Sequence, residues 1–139
     1  MNVYAILLSA HVITAILGMG QIAGTAIVAS SSTPTPPATP IAPEVLTILR
    51  RLGLGTSIAI ALMMLTGALL EYSVGGAFHT SAWFRVSFVL AIVLGALQGV
   101  IRRWLRTGDA PALRRVRGVS AVMCVTVALV TILMELKPA

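Results

Sequence analysis

The chain contains few side chains that could do chemistry, and the most unusual is a histidine inside an apolar segment. His11 lies within residues 3–29, which contain no charged residue. An imidazole can ligate a metal or a haem iron, or relay protons. An ionisable side chain inside a membrane-crossing segment is a functional candidate by default. The plainer interpretation of His11 is a neutral imidazole that is hydrogen bonded to a hydroxyl of a neighbouring helix.

A second group of candidate ligands lies at the ends of apolar segments. His79 falls in a short connection, and Glu71 and Glu135 each close an apolar segment. Carboxylate and imidazole together suit divalent metal ions, so these three residues could form a metal site. Solvated helix ends and a surface histidine are the plainer interpretation. Cys124 is the only cysteine, so the sequence contains no disulfide framework.

Other chemical signals in the sequence are weak. Thioether side chains could act as soft copper ligands, but in apolar helices they more often serve packing. The methionines in question are Met19, Met63, Met64, Met123 and Met134. We find no nucleophile and base pair, no glycine-rich phosphate loop and no paired carboxylates. Hydrolytic and phosphoryl-transfer chemistry therefore have no support in the sequence.

The composition indicates that these residues are positioned by membrane helices. Of the 139 residues, 58% are hydrophobic and 10% are charged, and the mean hydropathy is +0.98. Since about 20 apolar residues cross a bilayer as a helix, the pattern predicts four spans, at residues 3–29, 52–70, 84–101 and 119–136. A cleaved signal peptide is the competing interpretation of the first segment, but no lysine or arginine precedes it. We therefore expect one all-α domain over residues 1–139, an up-and-down four-helix transmembrane bundle.

The connections between the spans predict the orientation. A Pro-rich loop covers residues 31–43, and an Arg-rich loop with six arginines covers residues 102–117. Arg50 and Arg51 follow the Pro-rich loop, so both basic connections lie on one side of the membrane. The positive-inside rule places that side in the cytoplasm and both termini outside, as in a multi-pass protein of a cell inner membrane. The net charge of +6 thus reflects topology, and we expect no nucleic-acid partner.

Polar residues inside the spans recur at helical spacing. His11, Thr14 and Gln21 share one face of the first span, and Ser87 and Gln98 share one face of the third. An unpaired polar group in hydrocarbon costs several kcal/mol, roughly, so these faces should turn toward other helices. The sequence therefore predicts a polar stripe inside the bundle, with the two glutamines at similar depth.

The order of three segments carries a family resemblance. SAHVITAILGMG, RLGLGTSIAIALMMLTGALL and SAWFRVSFVLAIVLGALQG resemble small integral membrane proteins of unknown function that are grouped with the copper-resistance D-like proteins. The shared elements are His11, the pair Thr66-Gly67 and Trp83, and the likeness covers residues 4–99. A related group, the small membrane-bound protoporphyrinogen oxidase of bacteria, is implied to use a first-helix histidine as a haem ligand with a third-helix lysine nearby. Ser87 stands where that lysine is expected, which departs from the oxidase pattern.

If a cofactor is bound, haem b and copper are the candidates that the resemblance implies. His11 would then be a ligand, and His79 would be the next candidate because its turn closes the same end of the bundle.

Three functional classes remain open from the sequence. The first, and our expectation, is a non-catalytic accessory or structural subunit of a larger membrane complex, which is not an enzyme. The second is a membrane redox protein that binds haem or a metal at His11. The third is a small transporter component, against which the sparse charge inside the spans argues. The expected partners are the lipid bilayer and either other membrane-protein subunits or further copies of the chain.

Overall fold

The computed structural model describes residues 2–32 and 41–135, and these residues form four α-helices. The helices are α1 (Val3–Ser31), α2 (Pro43–Ser73), α3 (Ala82–Thr107) and α4 (Ala110–Glu135). By length and composition, all four could cross a membrane. The predicted all-α architecture with four candidate spans is therefore confirmed. Most of the predicted Pro-rich loop, residues 33–40, lies outside the described residues.

The four helices occupy the corners of an up-and-down bundle. Within the described residues, α1 and α3 each pack against both α2 and α4, and neither diagonal pair is in contact. We call the end where α1 ends and α2 begins the arginine end, because Arg50, Arg51 and the arginines of residues 102–117 lie there. We call the opposite end, which holds residues 74–81 between α2 and α3, the turn end. Alternation of the helices places the start of α1 and the end of α4 at the turn end.

The residues at the helix ends are of types that favour starting or ending a helix. Pro43 occupies the first turn of α2, and Glu44 places a carboxylate near the positive end of the helix dipole. At the same end of the bundle, α3 ends at Thr107 and is followed by Gly108, whose φ of +70° is the left-handed conformation typical of a helix cap. Asp109 then precedes α4 and accepts a hydrogen bond from the hydroxyl of Thr107 at 2.8 Å.

The predicted Arg-rich loop differs from the structure. Residues 102–117 are the last turns of α3 and the first turns of α4, and only Gly108 and Asp109 are non-helical. Arginine is a good helix former, so its charge marks the membrane surface without ending the helix. The helix α2 begins at Pro43, where the proline and Glu44 indicate a helix start, and its first nine residues precede the predicted membrane span that begins at residue 52.

The bundle is packed most closely at the arginine end. Side chains there that are at most 1% exposed include Ala29, Leu49, Ile101, Leu105, Leu113 and Val116. Toward the turn end, the first turns of α1 expose large apolar side chains such as Ile6 at 45% and Val12 at 46%. In a bilayer such surfaces face lipid, so the closely packed arginine end holds the helices together.

Two arginines at this end contact a neighbouring helix. Nε of Arg50 donates to the carbonyl of Leu105 at 3.0 Å, and Nη2 donates to the carbonyl of Arg106 at 3.3 Å. The last carbonyls of a helix lack intrahelical partners, so Arg50 of α2 caps α3. The guanidinium of Arg115 on α4 lies 5.9 Å from the ring centroid of Trp104 on α3, a cation–π contact.

Candidate functional site

His11 lies on α1 and is hydrogen bonded to α2. Its Nδ1 is 3.0 Å from the carbonyl oxygen of Met63 and 3.0 Å from Oγ1 of Thr66. A carbonyl can only accept, so we assign the proton to Nδ1, which donates to Met63. The hydroxyl of Thr66 in turn donates to the carbonyl of Leu62 at 2.8 Å. The neutral imidazole therefore retains a lone pair on Nε2, which makes no hydrogen bond with any described residue.

The imidazole of His11 fits against a glycine. A Cβ added to Gly67 would lie 3.3 Å from Cε1 of His11, closer than most side-chain contacts allow without a shift. Thr66 thus forms a hydrogen bond with His11, and the neighbouring Gly67, which has no side chain, leaves room for the imidazole ring. The sequence showed these two residues as part of a family pattern but did not link them to His11. Met63, whose backbone carbonyl accepts the hydrogen bond, could not be identified from the sequence, because any residue type supplies a carbonyl.

The two intramembrane glutamines also meet glycines of α2. Gln98 is 3% exposed, and its Nε2 donates to the carbonyl of Gly53 at 2.9 Å. Gln21 is half-buried and its amide lies against Gly55, where an added Cβ would be 2.6 Å from Nε2. Oε1 of Gln21 is buried without a hydrogen-bond partner among the described residues. The two glutamines therefore approach α2 from different neighbouring helices at positions only two residues apart.

A small cavity lies between the four helices. Its volume is about 70 Å³, and its walls are apolar apart from the hydroxyls of Thr14 and Ser87. The hydroxyl of Thr14 donates to the carbonyls of Ala10 and His11 at 3.0 and 2.9 Å. None of the titratable side chains lines this cavity. It is therefore suited to a small apolar occupant and provides no acid or base for a reaction.

Glu71 and His79 meet at the turn end. The carboxylate of Glu71 accepts from the backbone N–H of His79 at 2.7 Å and from that of Phe78 at 3.1 Å. The imidazole Nδ1 of His79 donates to the carbonyl of Gly76 and lies 3.4 Å from the Glu71 carboxylate. Glu71 therefore organises the turn by binding two backbone amides.

The predicted metal site at this end has two of its three residues in contact. Glu71 and His79 are adjacent, whereas the side chain of Glu135 lies outside what the structure describes. Among the described residues, no group of three histidine, cysteine, aspartate or glutamate side chains is close enough to hold a metal ion. His11 and His79 belong to separate hydrogen-bond networks, the first with Met63 and the second with Gly76.

The third element of the family pattern, Trp83, lies at the start of α3. Its ring is 5.4 Å from that of Phe78 and 6.1 Å from that of Phe84, between ring centroids, in an aromatic cluster at the turn end. No family model, no curated protein and no solved structure matches the chain. No family is therefore identified, and the resemblance built on His11, Thr66-Gly67 and Trp83 stays a prediction.

Proposed function

We propose that the chain is a non-catalytic subunit, accessory or structural, of a larger membrane assembly. The proposal rests on one observation: the polar side chains inside the spans form hydrogen bonds between helices. His11 is hydrogen bonded to a backbone carbonyl and a hydroxyl of α2, and Gln98 is hydrogen bonded to the carbonyl of Gly53. Catalysis requires a base, a nucleophile or a cofactor ligand that faces a pocket. Here these groups join helices, and the central cavity is apolar.

The distribution of charge supports an orientation. The arginine end carries eight arginines and two carboxylates, Glu44 and Asp109, whereas Arg85 is the only arginine near the turn end. By the positive-inside rule, the arginine end faces the cytoplasm and both termini lie outside. The proposed location is a cell inner membrane. The proposed partners are the lipid bilayer and either other membrane-protein subunits or a second copy of the chain.

The test is purification of the tagged chain from its native membranes in a mild detergent. We expect it to be isolated with other membrane polypeptides in a fixed ratio and to show no Soret band. The variant His11→Ala should remain in the same assembly, because an intramembrane hydrogen bond contributes roughly 0.6 kcal/mol on average. Isolation of the chain alone with a cofactor in a constant ratio would contradict the proposal.

A redox protein that binds haem b or copper at His11 is the second candidate, and one observation favours it. Histidines that ligate metals usually donate their other ring N–H to a carbonyl or carboxylate, which fixes the tautomer. His11 donates from Nδ1 to the carbonyl of Met63, so Nε2 has the lone pair that a haem iron or a copper ion requires. His79 donates from Nδ1 to the carbonyl of Gly76 and leaves Nε2 available in the same way.

Cofactor content of three variants tests this second candidate. Haem absorption and bound copper are measured per chain in the wild type, in His11→Ala, in His79→Ala and in Gln98→Leu, which alters a different intramembrane polar residue. A ligand role predicts loss in His11→Ala, retention in Gln98→Leu and partial loss in His79→Ala. An equal amount of cofactor in the wild type and His11→Ala would rule out His11 as a ligand.

A further inference from the structure

A groove runs along α1 and α4 on the outside of the bundle. Its volume is about 440 Å³, and its walls include Met19 and Ala23 of α1 and Cys124, Ala128 and Thr131 of α4. Met19, Ala128 and Thr131 are exposed, so the groove opens toward the lipid around the bundle. The hydroxyl of Thr131 donates to the carbonyl of Val127 at 3.0 Å. The groove is therefore apolar apart from the thiol of Cys124 and the hydroxyl of Thr131, whose proton is already bonded within α4.

An arginine lies on the same face of α4 as the groove. Arg117 precedes Cys124 by seven residues, which is two helical turns. At 1.5 Å per residue, Arg117 is about 10 Å closer to the arginine end than Cys124. Its side chain is exposed. From the membrane surface toward the centre, this face of α4 thus presents first a cation and then an apolar groove.

The positive charge at the arginine end is not compensated by the protein. Eight arginines and two carboxylates lie there, and none of these arginines forms an ion pair with a carboxylate in the described part of the chain. The carboxylate of Asp109 accepts from Thr107. Arg50 donates to backbone carbonyls, and Arg115 lies over Trp104. Arg117 has no comparable partner among the described residues, so its guanidinium is available to an anion.

We propose that the groove and Arg117 together bind one anionic phospholipid. A phospholipid in the leaflet at the arginine end presents its phosphate at the surface and its acyl chains toward the membrane centre. This is the order of Arg117 and the groove along α4. The planar guanidinium binds phosphate with two parallel hydrogen bonds, and the apolar walls receive an acyl chain. The uncompensated arginines select an anionic headgroup over a zwitterionic one. This inference does not depend on the proposed role as a subunit.

The experiment uses the full chain in detergent and native mass spectrometry with added phosphatidylglycerol or phosphatidylcholine. The variants are Arg117→Gln, Ala128→Leu, which fills the groove, and the control Arg103→Gln. Arg103 is also exposed at the arginine end, but it lies on α3, which does not contact α1. We expect the wild type to retain one phosphatidylglycerol in preference to phosphatidylcholine. Arg117→Gln should lower this retention about fivefold, as expected for one arginine near a membrane surface.

We expect Ala128→Leu to lower phosphatidylglycerol retention as well, and Arg103→Gln to change it little. Equal losses in Arg117→Gln and Arg103→Gln, or equal retention of the two lipids, would overturn the proposal. If inorganic phosphate alone binds to the wild type and Arg117→Gln removes that binding, the site is a simple anion site and not a phospholipid site. A dimer that Ala128→Leu abolishes would assign the groove to a second copy of the chain. Thermal unfolding checks each variant, and Ala23→Leu tests the facing wall if Ala128→Leu does not fold.

Discussion

The contact between Gln21 and Gly55 gives the most specific prediction about packing. A Cβ placed on Gly55 would lie 2.6 Å from Nε2, 2.7 Å from Oε1 and 2.9 Å from Cδ of Gln21. These distances are shorter than real Cβ contacts, so Gly55→Ala forces the amide of Gln21 to move. The amide must then turn toward lipid or push α1 away from α2, and both changes are unfavourable inside a membrane.

The change in stability caused by Gly55→Ala is best measured against the same substitution at a glycine that has no close neighbour. Gly20→Ala adds the same methyl group to a helix interior, but there the new Cβ meets nothing within 4 Å. Both variants share the gain of roughly 1 kcal/mol that alanine has over glycine in a helix. Forced displacement of packed groups typically costs about 1–3 kcal/mol. Because the displaced amide is the end of a flexible side chain, the cost lies at the low end of this range, and we expect Gly55→Ala to be less stable than Gly20→Ala by about 1 kcal/mol.

The assay is unfolding in mixed micelles by titration with sodium dodecyl sulfate, followed by circular dichroism. A double-mutant cycle isolates the contact, because Gln21→Ala removes the side chain that the new methyl group displaces. In that background Gly55→Ala should no longer be unfavourable. The coupling free energy should reach about 1 kcal/mol, whereas independent sites add within about 0.3–0.5 kcal/mol. Equal stability of Gly55→Ala and Gly20→Ala, together with an additive cycle, would refute this account of α1 and α2 packing.

Other residues test the helix cap, the turn end and the orientation. Arg50→Gln should lower stability by up to about 1 kcal/mol in the same titration, because Arg50 caps α3, whereas Arg51→Gln should have little effect. Glu71→Ala should speed hydrogen exchange at the backbone amides of the turn end, since its carboxylate binds two of them; unchanged exchange would contradict that role. A cysteine placed at Asp109 in a Cys124→Ser background should resist impermeant reagents added to intact cells, and rapid labelling would reverse the proposed orientation.

The four helices could be predicted because bilayer thickness fixes the length of an apolar segment. Their ends could not be placed from hydropathy. The arginines of residues 102–117 mark the membrane surface, but they favour helix, so α3 continues to Thr107 and α4 begins at Ala110. The turn falls at Gly108, the residue that adopts a left-handed conformation there. Helix ends thus depend on backbone geometry, and the membrane boundary depends on charge.

Helical spacing predicted which helix faces carry the polar side chains, but it did not predict which atoms these side chains meet. Helical spacing put His11 and Gln98 on inward faces, because polar groups avoid lipid. Which atoms they meet depends on how each helix is rotated and shifted against α2, and a single sequence does not contain that information. The carbonyls of Met63 and Gly53, which bind these two side chains, carry no residue-type signal. Gly55 likewise was not assigned to any face from the sequence.

Native mass spectrometry of the tagged chain extracted from its own membranes is the sharpest test of whether the chain is a non-catalytic subunit, because one spectrum reports bound polypeptides and bound cofactors together. We expect the chain in a fixed ratio with other membrane subunits or further copies of itself, no mass for haem or copper, and the same assembly for His11→Ala. A chain that carries one haem or one copper ion, lost in His11→Ala, would contradict it.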